Sequence, residues 1–509
     1  MNTDSMPEPC YTCRRRHIQC DRSQTPCLKC QKAGLQCLDK RPIRWVQGVA
    51  IRGNMRGRSY QNSSVSSSPV GEVVTRSTLS VELPEHLRRL PSMQLLVDLA
   101  PTSSVSSNIP PSMNDGAISG LDATARYYLD YYNDRICQLF IVYDSENNPF
   151  RSLIPLALAD PILLEAVLAL ASRHRANFEQ PFSTNAGAIP SASVDTDPEA
   201  LRYKYRAIQG LSHSVNAKLP YHDSTVASVF LLVFLDLLES GCDRWNYHLE
   251  GAKTLMALKP SNDPGRTMEK VRNFIMKQIH LIEALGATFV RPKLLSNSMP
   301  IDDSANMLQD SVEESFLGCP EYILTAVRFF SLQRDITASG NVSDQASLES
   351  ISSVLDVVWE FDCYTWASVL PQESGTLNIN DLCKLSRTYQ LGAILYGRRV
   401  LDALEGVRTN QESVVSELVE VIHSLRNGSN LLKCTLWPIT VAGLECQAPP
   451  QRALLIQALE KFWVDTKCLN VTNAAKILQS YWTKVDVNQM VANHWIFDIG
   501  RLSHDWLLV

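Results

Sequence analysis

No stretch of this 509-residue chain is apolar for long enough to cross a bilayer. The longest, Val226 to Leu238, is interrupted by Asp236 and is well short of the ~20 residues that a spanning helix needs. The opening MNTDSMPEPC holds two acids and no apolar run, so it lacks the pattern of an export signal. Enzyme signatures are missing too: the chain has no G-x-S-x-G, Walker loop, G-x-G-x-x-G or H-E-x-x-H. Ser503-His504-Asp505 spells a triad in letters only, because adjacent residues on a helix point in different directions. His494 and Asp498, four apart, suit a structural helix pair. Heptads are lacking as well: Leu79, Leu83, Leu87 and Leu90 have helix-like spacing, but Pro84 and Pro91 cut the segment. The expectation is a soluble intracellular protein that is not an enzyme, does not enter a membrane and does not pair through a zipper.

What is present is unevenly distributed. Residues 1–58 carry 12 Lys and Arg against 4 Asp and Glu, a balance of +8, whereas the other 451 carry 36 against 49, a balance of -13. A small basic head on a large acidic body suggests a polyanion-binding module joined to something else. Hydrophobic residues make up 45% of the chain, enough for a large core, and the length suggests about three units at ~150 residues each.

Cysteine divides the chain the same way. Six of 14 fall between Cys10 and Cys37, and the other eight are scattered singly from Cys137 to Cys468, as buried small hydrophobes of a reduced protein would be. The six, Cys10, Cys13, Cys20, Cys27, Cys30 and Cys37, are spaced C-x2-C-x6-C-x6-C-x2-C-x6-C and repeat every 17 residues. Two C-x2-C pairs suit tetrahedral zinc. Six thiolates serve two four-thiolate sites when two are shared, and the repeat suggests that Cys10 and Cys27 are the shared pair. Cys13 and Cys20 then complete one site, Cys30 and Cys37 the other. A segment with hardly a large apolar side chain takes its folding energy from the metal. A disulfide knot, free thiols, a single zinc or a redox site are the alternatives; the missing export signal and the regular spacing weigh against the first two.

The run CYTCRRRHIQCDRSQTPCLKCQKAGLQC resembles the DNA-binding domain of the fungal binuclear zinc-cluster (Zn2Cys6) transcription factors. It shares the cysteine spacing, the basic stretch after the second cysteine, the Asp after the third and a Pro before the fourth. The resemblance implies two Zn2+ per chain, a short helix and a strand in each half, and a first helix whose C-terminal end enters the major groove at CGG-type half-sites. By position, Arg16 and His17 fall among base-contacting residues, and Arg14, Arg15 and Arg22 among phosphate contacts. Arg or Lys matches guanine O6 and N7, whereas phosphate contacts give salt-dependent affinity without sequence information. Two positions depart from the pattern: His17 replaces a common lysine, and Gln19 stands where a basic residue is common.

Residues 38–58 continue the positive charge, with Lys40, Arg41, Arg44, Arg52, Arg56 and Arg58 among three glycines. They read either as an extended arm, with Arg41 and Arg44 on DNA, or as a basic linker. Residues 59–119, rich in Ser, Pro and Thr, read as a disordered linker. Beyond 120 the pattern is helical. Asp160-Pro161 and Asp197-Pro198 are N-caps followed by N1 prolines, and Val271, Ile275, Ile279, Ile282 and Leu285 recur at helical spacing. Further helices are expected near 122–143, 223–239, 244–258, 320–336, 377–404, 411–433, 451–468 and 488–508, with irregular chain at 182–196, 260–265 and 292–318. Two segments, YYLDYYNDRICQLFIVYDSENNPFRSLIPLALADPILLEAVLALASRH and STVASVFLLVFLDLLESGCDRWNYHLEGAKTLMAL, resemble the fungal-specific transcription factor regulatory domain. That resemblance implies effector sensing, self-association and control of activation; Trp245, His248 and Gly251 read as helix-packing residues.

The fold class expected is therefore a small Zn2Cys6 cluster module (10–37), a basic arm (38–58), a disordered linker (59–119) and a large all-α regulatory domain (120–509). The function expected is a nuclear RNA polymerase II regulator that binds double-stranded DNA at CGG-type sites. Its partners would be transcription machinery or co-regulators; on DNA it would act either as a monomer or as a homodimer joined through the large domain, without a coiled coil. The alternative is a zinc-cluster interaction scaffold or co-regulator without productive DNA readout, kept open by Gln19.

Overall fold

The computed structural model describes residues 9–16, 18–21, 26–33, 35, 37, 120–182, 197–216, 223–257, 266–292, 314–338, 345–370, 378–487, 494–498 and 504–509. The arm at 38–58, the linker at 59–119 and the irregular segment 260–265 lie outside the described residues, as do all but the first residue of the loop expected at 182–196 and residues 293–313 of the other. Contacts divide the chain into two units, Met1–Ile109 and Pro110–Val509, rather than three.

Among its described residues the first unit holds two five-residue helices, α1 (Tyr11–Arg15) and α2 (Leu28–Lys32). They are one device used twice. Arg14 N–H donates to Cys10 O and, 17 residues on, Gln31 N–H donates to Cys27 O, both at 3.0 Å. Ile18 N–H on Cys13 O (3.1 Å) is matched by Leu35 N–H on Cys30 O (3.0 Å). Helices this short are not stable alone, so something at their bases must hold them. The strand implied for each half is not formed among the described residues.

Among its described residues the second unit is mostly helical, and its helix starts follow local chemistry. Asp160 accepts from the N–H groups of Ile162 (2.8 Å) and Leu163 (3.2 Å), and Asp197 from those of Glu199 (2.9 Å) and Ala200 (3.0 Å). In each case a proline occupies N1, where no N–H is needed. The helices are α3 (Ala123–Tyr131, continued by a π turn Tyr132–Ile136), α4 (Pro149–Ala159), α5 (Pro161–Asn177), α6 (Pro198–Asn216), α7 (Asp223–Glu239), α8 (Trp245–Met256) and α9 (Arg266–Gly286). Then follow α10 (Glu321–Thr337), α11 (Gln345–Glu360), α12 (Cys363–Val369), α13 (Ile379–Glu405), α14 (Glu412–Gly428), α15 (Leu436–Glu445), α16 (Pro449–Thr466), α17 (Leu469–Asp486) and the short α18 (Trp495–Asp498).

Two hubs organise this body. In the first, α5 packs on α6 and α7, and α7 on α8; in the second, the long α13 touches α10, α11, α12, α14 and α15. Several polar residues within the core join segments distant in sequence. Asn177 Nδ2 donates to Leu238 O (2.8 Å) at the end of α7 and to Lys467 O (2.9 Å) after α16. His174 joins Tyr131 OH through Nδ1 (2.9 Å) and Thr466 O through Nε2 (3.1 Å). Trp245 is buried, with its Nε1–H donating to Asp505 O (3.1 Å), and His248 packs beside Asp236 (3.6 Å).

Two expectations need correction. Helices α4, α11, α12, α15 and α17 did not stand out as periodic segments. The helix expected near 488–508 is reduced, among the described residues, to Trp495–Asp498, while 504–509 runs extended. There Leu507 N–H donates to Gly241 O (2.7 Å), and Trp506 forms an antiparallel bridge with Cys242. Pairing with a distant turn overrides local helical preference.

Candidate metal centre and nucleic-acid interface

The sulfurs of all six clustered cysteines gather at the bases of α1 and α2. Cys10 caps α1, its Sγ accepting from Cys13 N–H (3.4 Å); Cys27 caps α2 in the same way through Cys30 N–H (3.5 Å). Capping by sulfur turns two thiols toward one point. Cys10 Sγ lies 3.8 Å from Cys27 Sγ and from Cys30 Sγ, and Cys13 Sγ lies 3.7 and 3.8 Å from the same two. Two groups of four have donor atoms within 4.8 Å of one another: Cys10, Cys13, Cys20 and Cys27, and Cys10, Cys27, Cys30 and Cys37. Cys10 and Cys27 belong to both. A zinc–sulfur bond of ~2.3 Å sets the corners of a tetrahedron ~3.8 Å apart, so the donor set fits zinc in kind, number and spacing.

Protonation tells the same story. The Cys30 N–H holds the Cys27 thiol below its usual range, and although burial pushes the Cys10 thiol up, the Cys13 N–H and side chain outweigh it. Burial and neighbouring sulfurs drive Cys13 upward and Cys30 to about 12. Six crowded sulfurs cannot all ionise unless cations compensate them. Cys10 and Cys27, the two thiols held below their usual range, are the pair common to both groups.

Asp21 adds a feature whose role the spacing does not reveal. Its carboxylate accepts from Leu28 N–H (3.1 Å) and Lys29 N–H (3.4 Å). With Cys30 N–H on Cys27 Sγ, the three leading donors of α2 are all engaged. An Asp seven residues before a helix start is not a recognisable cap signal; only the fold brings it there.

Of the residues expected on DNA, Arg14 and Arg16 are exposed, Arg16 at the C-terminal end of α1, and Arg15 belongs to that helix. His17, Arg22, Arg41 and Arg44 lie outside the described residues. Gln19 is exposed. On α2, Lys29 and Lys32 are exposed too, a second cationic helix that sequence reading passed over and that the 17-residue repeat would have indicated. Among the described residues hardly any apolar side chain supports this unit; Ile18, Leu28 and Leu35 are themselves exposed.

The body offers no catalytic relay among its described residues. His504 Nδ1 contacts Asp243 Oδ2 (2.6 Å), whereas Asp505 takes a bidentate bond from Arg291 (2.7 and 3.1 Å). Its scattered cysteines are reduced and buried, except half-buried Cys383. A polar cavity of about 450 Å³ opens beside Arg399, Glu445 and Gln451. Its floor is the ion pair of Arg399 with Glu445 (2.6 Å), which also accepts from Trp495 Nε1–H (2.6 Å). No helix among the described residues is long and apolar enough to cross a membrane.

Residues 8–45 match the family described as the fungal Zn(2)-Cys(6) binuclear cluster domain, and residues 127–509 match the fungal specific transcription factor domain. The chain is 24% identical over 408 residues to the acriflavine sensitivity control protein acr-2 of Neurospora crassa, a match covering 77% of this chain and 68% of that protein. No solved structure matches.

Proposed function

The chain belongs to the fungal specific transcription factor domain family and carries a fungal binuclear zinc-cluster domain, and from that premise we propose that it is a nuclear RNA polymerase II regulator reading CGG-type sites. Transcription-factor domains, not enzymes, are what it matches. Cys10, Cys13, Cys20, Cys27, Cys30 and Cys37 would hold two Zn2+, with Cys10 and Cys27 shared. Bound zinc supplies the positive charge that lets all six sulfurs stay ionised, and with it the rigidity that this unit's apolar residues do not provide.

The observation that carries the reading is the placement of Arg16. It caps the C-terminal end of α1, exposed, one turn from a sulfur cage that fixes the helix. A guanidinium presented from a held helix end suits the O6 and N7 of a guanine. Arg14, Arg15 and Arg22, with Lys29 and Lys32 of α2, hold phosphates, as do Arg41 and Arg44 of the arm. His17 completes the base-reading edge. The domains run as 10–37 for the cluster, 38–58 for the arm, 59–119 for a tether and 120–509 for the regulatory body. The body supplies contacts to co-regulators and to a second copy of the chain.

Exposed Gln19, in place of a basic residue, favours a second reading as a co-regulator scaffold without DNA readout. Unbiased selection of duplexes by the full-length protein, with and without chelator, separates the two. A CGG-containing consensus that disappears with the metal is expected. Failure to enrich any sequence supports the scaffold, and an enrichment that survives chelation removes the zinc-framed readout.

A further inference from the structure

A second group of ligand-type side chains lies far from the cysteine cluster in sequence, in the regulatory body. Helix α7 ends at Glu239 and α8 begins at Trp245; the turn between them contains Gly241 (φ 64°) and Asp243 (φ 57°). Segment 504–509 is fastened along this turn. Asp243 N–H donates to Asp505 O (2.9 Å), Asp505 N–H donates to Asp243 Oδ1 (2.7 Å), and Leu507 N–H donates to Gly241 O (2.7 Å). The Arg291 guanidinium is held by Asp505, with its Nη2 2.7 Å from Oδ2. These bonds fix the place where His504 enters.

The result is a trio from two segments 261 residues apart. His504 Nδ1 is 2.6 Å from Asp243 Oδ2, and Cys242 Sγ is 3.4 Å from the same oxygen. One donor atom from each of Cys242, Asp243 and His504 lies within 4.8 Å of the others. Cys242 is buried, but the side chains of His504 and Asp243 are 26% and 44% exposed, so the site can be reached from solvent. The donors are one sulfur, one nitrogen and one oxygen. A thiolate with an imidazole selects late first-row cations over Mg2+ or Ca2+, and three protein ligands with an open side are a common zinc arrangement.

We infer that Cys242, Asp243 and His504 bind one Zn2+-class divalent cation that clips segment 504–509 to the α7–α8 turn. Binding replaces the thiol proton that Cys242 shares with Asp243; that proton leaves to solvent as the sulfur–metal bond forms. The hydrogen between His504 Nδ1 and Asp243 is given up through solvent while Nε2 carries the one proton of the neutral imidazole, freeing the Nδ1 lone pair for the cation. Asp243, which now bridges the other two, becomes a ligand through Oδ2 while Oδ1 keeps the Asp505 N–H. The clip ties the end of the first helical hub to residues otherwise held by hydrogen bonds and packing, so occupancy by zinc sets how firmly that segment is docked.

The test is the zinc content of the full-length chain after equilibration with a moderate chelator, with cobalt substitution reporting thiolate ligation by its near-ultraviolet band. Cys242→Ser and His504→Gln should each hold one zinc fewer than the wild type, and Cys242→Ser should lose part of the cobalt–thiolate absorbance. Cys27→Ser reports on the cluster separately, removing its metal while leaving this site, so the two assignments fail independently. His504 is partly exposed, so its replacement leaves the buried packing in place if Cys242→Ser does not fold. Equal zinc in the wild type and His504→Gln overturns the proposal, as does an unchanged content in folded Cys242→Ser.

Discussion

At the scale of single residues, the head of the molecule separates side chains that hold the frame from side chains that present themselves. Cys10 and Cys27 cap their helices with sulfur, and Asp21 takes the free N–H groups of Leu28 and Lys29. Arg14 and Arg16 project outward. The division leads to different outcomes on substitution. Arg16→Ala should relax base choice at one position, a loss of ~1–3 kcal/mol in discrimination, with the salt dependence little changed. Arg22→Ala should weaken every duplex alike and reduce the salt slope by about 1. Titrations of matched and mismatched duplexes at several salt concentrations distinguish them; identical behaviour of the two variants rules out the assignment. The six cysteines were legible because their 17-residue repeat is a pattern in the letters. The role of Asp21 was not, since a carboxylate seven positions away becomes a cap only once the cage has folded.

Among the elements, α13 shows how far local signals reach. Its start is written in Asn378, whose side chain accepts from Asn380 N–H (3.1 Å) and Asp381 N–H (3.3 Å), and its end in Gly406 at φ 67°. What it packs against is decided elsewhere. A Cβ on Gly397 would lie 2.5 Å from Phe330 Cε2, 2.6 Å from its Cζ and 2.9 Å from Leu355 Cδ2. Alanine improves helix propensity by ~1 kcal/mol, but overpacking of a close-packed core costs ~1–3 kcal/mol. Gly397→Ala should therefore lower the urea midpoint of the body. Gly428→Ala, at the end of α14 with nothing within 4 Å of the added Cβ, should not. Most helices with an apolar stripe or an Asp-Pro start were readable from sequence, although α11, whose buried Ile351, Leu355 and Val358 form such a stripe, was not. By contrast, α15 is buried on every side, so it has no polar face to create a period. Segment 504–509 looked helical because its extended form depends on Gly241 and Cys242, more than 260 positions earlier.

For the molecule as a whole, buried titratable groups give the body's stability a defined pH dependence. Burial depresses His174, His248 and His280 from 6.5 to about 4. Each contributes stability that is complete above pH 6.5 and is lost as the pH falls toward 4. Asp236 has the opposite sign. Burial raises it from 3.8 to about 8, and its Oδ2, 3.6 Å from His248, has no hydrogen-bond partner. Its contribution is complete below pH 3.8 and is lost as the pH rises through about 8. Asp236→Asn should therefore stabilise the body, with a gain that grows between pH 4 and pH 8 to the order of a few kcal/mol. Urea unfolding at pH 5, 7 and 8.5 tests this; a gain independent of pH excludes the buried carboxyl as its source.

By itself, the sequence determined the division of the chain into a basic, cysteine-rich head and an acidic helical body. Charge, cysteine spacing and helix starts are properties of neighbouring letters. Tertiary structure alone decided which N–H groups Asp21 takes, why a methyl group on Gly397 overpacks the core, and that Cys242 and Asp243 meet His504. These depend on distances between segments far apart along the chain, and such distances exist only after burial of the apolar faces has chosen one packing.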